Sequence, residues 1–423
     1  MANWRTEALS DCLQSLIDYR GKSPPKSLIG VPVLSAKVVK TAGLKRPIEQ
    51  TIDPSYYSTW MTRGLPKAGD IVMTTEAPLG EVIQLDEETS KFALGQRIVC
   101  MRGKAGKLDN TFFRYLLTSP AQQKLLASYA TGTTVLGISQ KALRALPIRY
   151  PDFEEQKRIG ELLSFLDDRI ELNRRMNETL EAMARAIFKD WFVDFGPTRA
   201  KMEGGDPYLT PEVWSLFPDR LDDDERPVGW RIESVYDFAS VIYGAPFASS
   251  RFNADCRGLP LIRIRDLATH EPSIFTDEEH PKGHKVYPGD LVVGMDGEFR
   301  LHVWKGETAW LNQRVCSFVP KVGVPASFLS EALKEPLAFF ERGKVGTTVI
   351  HLGKADIDTF RLIKPSGSLL AAYGALCHEL IQRTVTNALE NRTLAATRDL
   401  LLPKLMSGEI RIRDAEAMVA DAA

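Results

Sequence analysis

The 423-residue sequence has no uninterrupted apolar run of the ~18 residues that a membrane helix needs, so no span is expected. Its opening, Met1-Ala2-Asn3-Trp4-Arg5-Thr6-Glu7, has no apolar core of a secretory signal. Cysteine is scarce: Cys12, Cys100, Cys256, Cys316 and Cys377 form an odd, scattered set with no CxxC spacing. That excludes a disulfide framework and predicts reduced, mostly buried thiols in a cytoplasmic protein. An excess of charge is also missing, since 54 basic residues face 55 acidic ones, a net of −1. The distribution is less even. Residues 1–151 carry 20 basic and 12 acidic side chains, a net of +8, whereas residues 228–366 carry 17 of each. The first half has a mild electrostatic case for binding phosphates, and the second has none by count.

Catalytic signatures are missing too. The nearest approach to a phosphate-cradling GxxxxGK[ST], at Gly103-Lys104-Ala105-Gly106-Lys107-Leu108, has the wrong spacing and no hydroxyl. No glycine-rich turn follows a strand-like run as a dinucleotide or methyl-donor loop would require. Asp53-Pro54-Ser55-Tyr56-Tyr57 faintly resembles the Asp-Pro-Pro-Tyr motif of amino-methyltransferases but reads as a turn. His280 and His284 are four apart, yet Pro281 and Gly283 between them forbid a helical ligand pair. Gly-x-Ser-x-Gly is absent. Asp296 and Glu298 beside Arg300 suggest a nuclease centre without the lysine such centres use after the second carboxylate. No catalytic residue and no metal site are assigned.

What is present is a repeat. Gly69-Asp70-Ile71-Val72 returns as Gly289-Asp290-Leu291-Val292, and Gln96-Arg97-Ile98-Val99-Cys100 returns as Gln313-Arg314-Val315-Cys316. Gly132-Thr133-Thr134-Val135 returns as Gly346-Thr347-Thr348-Val349, and Trp4-Arg5 and Trp230-Arg231 mark the two starts. The offsets fall from 226 through 220 and 217 to 214, as loop-length differences would make them do. Four matches in one order are a duplication.

After Pro151 and Pro365, again 214 apart, each copy turns helical. Leu163, Leu166, Ile170, Asn173, Asn177, Leu180, Ala184, Ile187 and Trp191 alternate steps of three and four, a heptad seam. Adding 214 gives Cys377, Leu380, Thr384, Asn387, Asn391, Leu394, Arg398, Leu401 and Leu405, with Arg398 weakening the seam near its end. The stretch 153–191 makes roughly 58 Å of helix at ~1.5 Å per residue. Both seams place two asparagines at the same two positions. Polar seam residues set register at a cost in stability, so Asn173 and Asn177 are expected to face Asn387 and Asn391. A solvated face for the four is the alternative.

The globular parts read as mixed α+β. Strand-like runs occur at 71–74, 97–101 and 146–150, matched by 291–293, 315–319 and 360–363, and helices are expected near 110–129 and 325–343. Nothing alternates as a doubly wound parallel sheet would. The expected organisation is a first domain at 1–151, a long helix at 152–195 and a linker at 196–227. A second domain follows at 228–366, then a second long helix at 367–411 and a tail at 412–423. The linker, rich in glycine, proline and aspartate, is expected to be loop with one helical turn near 212–216.

These residues resemble the specificity subunits of type I restriction–modification systems, and the resemblance covers nearly the whole chain. In copy two it rests on Tyr243-Gly244-Ala245-Pro246-Phe247, Pro260-Leu261-Ile262-Arg263-Ile264-Arg265-Asp266-Leu267, Gly294-Met295-Asp296-Gly297-Glu298-Phe299 and Leu311-Asn312-Gln313-Arg314-Val315-Cys316. In copy one it rests on Tyr19-Arg20-Gly21-Lys22-Ser23-Pro24, Gly69-Asp70-Ile71-Val72 and Gly132-Thr133-Thr134. Glu155-Gln156-Lys157-Arg158-Ile159 and the closing 402–410 stretch fit as well. The resemblance implies two target-recognition domains held apart by an antiparallel pair of long helices, with pseudo-twofold symmetry, reading the halves of a split double-stranded DNA target. It implies two methyltransferase subunits as partners and, through them, motor–nuclease subunits for phage defence. S-adenosylmethionine, ATP and magnesium are then expected on those partners and no cofactor on this chain. The alternatives are a self-contained DNA-modifying or DNA-cleaving enzyme centred on Asp296 and Glu298, and a coiled-coil scaffold that binds only protein.

Phosphate contacts call for Lys, Arg and hydroxyls, and base edges for Arg to guanine or Asn/Gln to adenine. The DNA-contact candidates are therefore Arg20, Lys22, Thr133, Thr134, Gln140 and Lys141 in copy one. In copy two they are Ser249, Ser250, Arg251, Asn253, Arg263, Arg265, Arg300, Thr347 and Thr348. Arg263 and Arg265 are expected to alternate with Ile262 and Ile264 on a strand. For Gln96-Arg97 and Gln313-Arg314, an internal hydrogen-bond anchor and a DNA contact are both open. The Gly-Thr-Thr turns can serve backbone geometry or contact.

Overall fold

The computed structural model describes residues 4–19, 23–41, 43–132, 134–343 and 350–422. Arg20, Lys22, Thr133, Thr347 and Thr348 lie outside them. The chain divides into two compact units, one of Met1–Ile170 with Thr393–Ala423 and the other of Glu171–Arg392. The mixed α+β class and the two similar units are as expected from the repeat.

In the first unit the main sheet is four-stranded and antiparallel, in the order Leu13–Asp18, Ile98–Gly103, Ile71–Thr75, Leu79–Gln84. Arg5–Ala8 pairs separately with Pro147–Tyr150. The second unit repeats this order with Ala239–Tyr243, Val315–Pro320, Leu291–Gly294 and Leu301–Val303, and pairs Arg231–Ser234 with Arg361–Lys364. Each unit adds a second sheet, three-stranded in the first and five-stranded in the second, containing one parallel pair, Val33–Leu34 beside Ala93–Leu94 and Leu261–Ile262 beside Trp310–Leu311. The central strands are apolar on both faces (Ile71, Val72 and Met73; Leu291, Val292 and Val293 are all buried), because a layer covers each side of the sheet.

The heptad spacing predicts a helix over 153–191, and one continuous helix runs Phe153–Phe192. The second long helix runs Gly367–Ser407 and stops at Gly408, whose φ of +73° is the left-handed turn that glycine supplies at a helix end. Every seam position of both helices is buried or half-buried. In the first unit, Leu163, Leu166, Leu394, Leu401 and Leu405 join one core with Phe112, Phe113 and Leu117. Asp167 accepts from Arg398 at 2.8 Å, Arg114 at 2.9 Å and the Tyr115 hydroxyl at 2.6 Å, which is how the seam accommodates an arginine. Gln156, fully buried, bridges three backbone groups. It donates to the carbonyls of Lys107 (2.9 Å) and Pro151 (3.0 Å) and accepts from the Asp109 amide (2.9 Å), fixing the helix start to the domain.

In the second unit the two helical segments run antiparallel. Asn173 Nδ2 donates to Asn391 Oδ1 at 2.9 Å, Asn387 Nδ2 donates to Asn177 Oδ1 at 2.8 Å, and Asn177 Nδ2 donates to the Thr384 carbonyl at 3.1 Å. Beyond them the helix end is an aromatic cluster, with Phe192 5.1 Å from both Phe328 and Tyr373 and Trp191 5.1 Å from Phe217. The segment read as linker contributes to this core. It holds a helix at Gly196–Met202 besides the turn at Pro211–Trp214, and Phe195, Leu209, Val213 and Phe217 pack there. The segment read as tail forms the helix Ile412–Ala422, with Ile412, Ala415 and Val419 buried in the first unit's core.

Candidate nucleic-acid interface

In each unit the main sheet delivers two side chains to one point of the surface. In the first, strand Ile71–Thr75 is followed by Glu76, and strand Ile98–Gly103 is preceded by Arg97. The backbone ties them together, since the Thr75 amide donates to the Arg97 carbonyl at 2.8 Å. Arg97 sits at φ +62°, a conformation costly for a non-glycine residue, and its Nε lies 2.8 Å from Glu76 Oε1. In the second unit Met295 N donates to the Arg314 carbonyl at 3.0 Å, and Arg314 NH1 lies 3.2 Å from Asp296 Oδ2. His351 Nδ1 meets Asp296 Oδ1 at 2.7 Å, and the corresponding residue of the first unit is Gly137, whose backbone bridges to Glu76. A concavity of about 510 Å³ beside Arg97 is lined by Thr75, Glu76, Gln96, Thr131 and Ser139 among others. Sequence reasoning singles out Asp296 only as half of a nuclease-like carboxylate pair and passes over Glu76. The signal was there, because Glu76 and Asp296 are 220 apart, the same offset as Gly69 and Gly289.

The sequence-derived candidates fall into three groups. Thr134 and Lys141 are exposed and Gln140 half-buried, at the loop after Gly132 and the helix Gln140–Ala145 that Ser139 caps. Gly132 has φ +119°, and a Cβ there would meet the Val135 carbonyl oxygen at 2.2 Å, so backbone geometry requires this glycine whatever the threonines do. Ser249 and Ser250 are exposed on a short turn, and Arg265 is exposed.

The remaining cations and amides are engaged. Arg251 pairs with Asp277 at 2.9 Å, and Arg300 with Glu298 at 3.4 Å. Asn253 donates to the carbonyls of Arg257 and Phe275 and accepts from the amides of Asp255 and Arg257, the full use of its amide in holding a loop. The expected strand does not continue through Arg263 and Arg265: it ends at Ile262. Arg263 then caps a turn at Ile264–Asp266, donating to both Asp266 oxygens and, at 2.9 Å, to the Ser273 hydroxyl. Capping chemistry, in which the Asp266 carboxylate accepts from the Arg263 amide at 3.0 Å, outweighs the alternation.

Asp296 pairs with Arg314 through one oxygen and with His351 through the other, and Glu298 Oε2 lies 3.4 Å from Arg300 in an exposed pair. Among the described residues no three His, Cys, Asp or Glu side chains gather as metal ligands would. Burial pushes the His270 imidazole down to about 3, with His302, Lys305 and Arg392 adding positive charge against it. No helix among the described residues is long and apolar enough to cross a membrane.

Comparison with known proteins places this architecture. Residues 38–182 match the model of the type I restriction modification DNA specificity domain. The HindI specificity subunit of Haemophilus influenzae is 26% identical, over 81% of this chain and 87% of its own, and the MjaIX specificity subunit of Methanocaldococcus jannaschii is 26% identical over 83% and 80%. Over most of its length the chain is similar to the specificity subunits of type I restriction enzymes. The EcoBI specificity subunit of Escherichia coli is 38% identical over a shorter stretch, 32% of this chain and 29% of its own. The fold agrees: the type I system S subunit from M. genitalium superposes with a TM-score of 0.58 at 16% identity, covering 96% of both chains.

Proposed function

We propose that this chain is the specificity subunit, the non-catalytic, DNA-reading member, of a cytoplasmic type I restriction–modification complex. Its two units each contact one half of a bipartite double-stranded target, and its long helices dock two methyltransferase subunits. Motor–nuclease subunits join through those, and S-adenosylmethionine, ATP and magnesium act on the partners. The observation that carries the reading is the duplication: two units with the same strand order but different charge and surface residues, as recognition of an asymmetric split site requires. Against the nuclease alternative, Asp296 already meets Arg314 and His351, and Glu298 lies beside Arg300. The test is reconstitution with the methyltransferase. The assembled complex is expected to bind DNA with steep salt dependence and to methylate it, while this chain alone does neither reaction. Cleavage or methylation by the isolated chain would overturn the proposal, and a complex indifferent to DNA would leave only a protein scaffold.

A further inference from the structure

The Arg97–Glu76 and Arg314–Asp296 pairs have no evident stabilising duty. Arg97 and Glu76 are 56% and 43% exposed and Arg314 is 59% exposed, and ion pairs this open to water contribute little to stability. Yet equivalent pairs stand in both units, at the same strand ends, while the surrounding surfaces differ in charge and motif. In the first unit the carboxylate takes Nε, leaving the two terminal nitrogens of Arg97 as a fork, and neither has a hydrogen-bond partner among the described residues. In the second it takes NH1, leaving the Nε and NH2 edge of Arg314 as a fork. A planar fork of two N–H donors matches two oxygens of a phosphate.

Resting on the DNA-reading function above, we propose that Arg97 and Arg314 each contact a DNA phosphate without regard to sequence, with Glu76 and Asp296 as positioning residues that aim the guanidinium. Phosphate is favoured over a base edge because the same pair serves both units. The two halves of an asymmetric site share their backbone, not their bases. At Arg97 the φ of +62° and the polar concavity beside it fit a side chain held ready for a ligand.

The experiment uses the complex assembled with its methyltransferase, titrated with target duplex and with a scrambled duplex across a salt series. Arg97→Ala and Arg314→Ala are each expected to lower the slope of log affinity against log salt by about 0.9. Between ~50 and ~200 mM salt each variant should lose about 3.5-fold less affinity than wild type. The change should be equal on both duplexes, with the methylated motif and melting temperature unaltered, and Arg97→Lys should retain the slope. An unchanged slope in the alanine variants makes the pairs merely structural. A changed methylation motif makes them base readers. Either result overturns the proposal. A wild-type complex with no salt-dependent binding refutes the DNA-reading function itself, a separate and recognisable failure.

Discussion

The four seam asparagines make a prediction whose sign is unusual. Asn173 and Asn387 are 1% and 0% exposed, and each gives its amide N–H to an asparagine across the seam. Their own Oδ1 atoms are buried without a partner among the described residues, so this polar layer is already under-satisfied. Replacing Asn173 alone by leucine removes the donor to Asn391 and leaves that amide facing a methyl group, a cost of about 1–3 kcal/mol. Replacing Asn173 and Asn391 together removes donor and acceptor at once and continues the leucine seam set by Leu166 and Leu394. The pair should then be neutral or stabilising by about 1–3 kcal/mol. The coupling between the two substitutions is therefore expected to be favourable and at least about 1 kcal/mol. Urea unfolding of the intact chain followed by far-UV circular dichroism measures all four corners of the cycle. Additive losses in the double variant would refute the reasoning. So would a single variant that costs nothing. The stabilised variant should also lose register specificity, since nothing polar then distinguishes one heptad from the next. With Asn173 and Asn177 both leucine, a second half-site spacing should become tolerated in the methylated motif, and an unchanged single spacing counts against the register role.

Two further perturbations test the packing. Because the folded state holds His270 near 3 against about 6.5 when unfolded, the unfolded chain takes up the proton first as pH falls. Stability is therefore complete above the unfolded value and is lost on acidification, by about 2 kcal/mol between pH 7 and pH 5. His302, lowered by burial as well, acts in the same direction. His270→Gln should flatten the pH dependence of melting, and an equally steep profile in that variant refutes the assignment. Gln156→Leu strands two carbonyls and one amide and should cost about 3 kcal/mol. A melting shift corresponding to less than about 1 kcal/mol would show the bridge to be dispensable.

Much of the frame is legible in the sequence because periodicity reports packing directly. Steps of three and four from Leu163 to Trp191, with no proline or glycine among them, leave no reading but a long paired helix. The repeat transfers each strand of one unit to the other. Gly196-Pro197 points to a break and hides the helix Gly196–Met202, although proline in the first turn is also a start signal. The helix Ile412–Ala422 is hard to see in the sequence because, among its described side chains, only three are buried, Ile412, Ala415 and Val419, spaced three and four apart. The surface is less legible still. Whether a cation is available depends on neighbours distant in sequence, as Arg251 on Asp277 and Arg97 on Glu76, and no local pattern announces them.

The central claim is that this chain chooses the DNA sequence that its partners modify. Mapping DNA methylation across the host genome by single-molecule sequencing, with and without the gene, tests it most directly. One asymmetric, two-part motif with a fixed gap is expected to be methylated when the chain is present and unmethylated when it is absent. A methylation map unchanged by its deletion would contradict the claim.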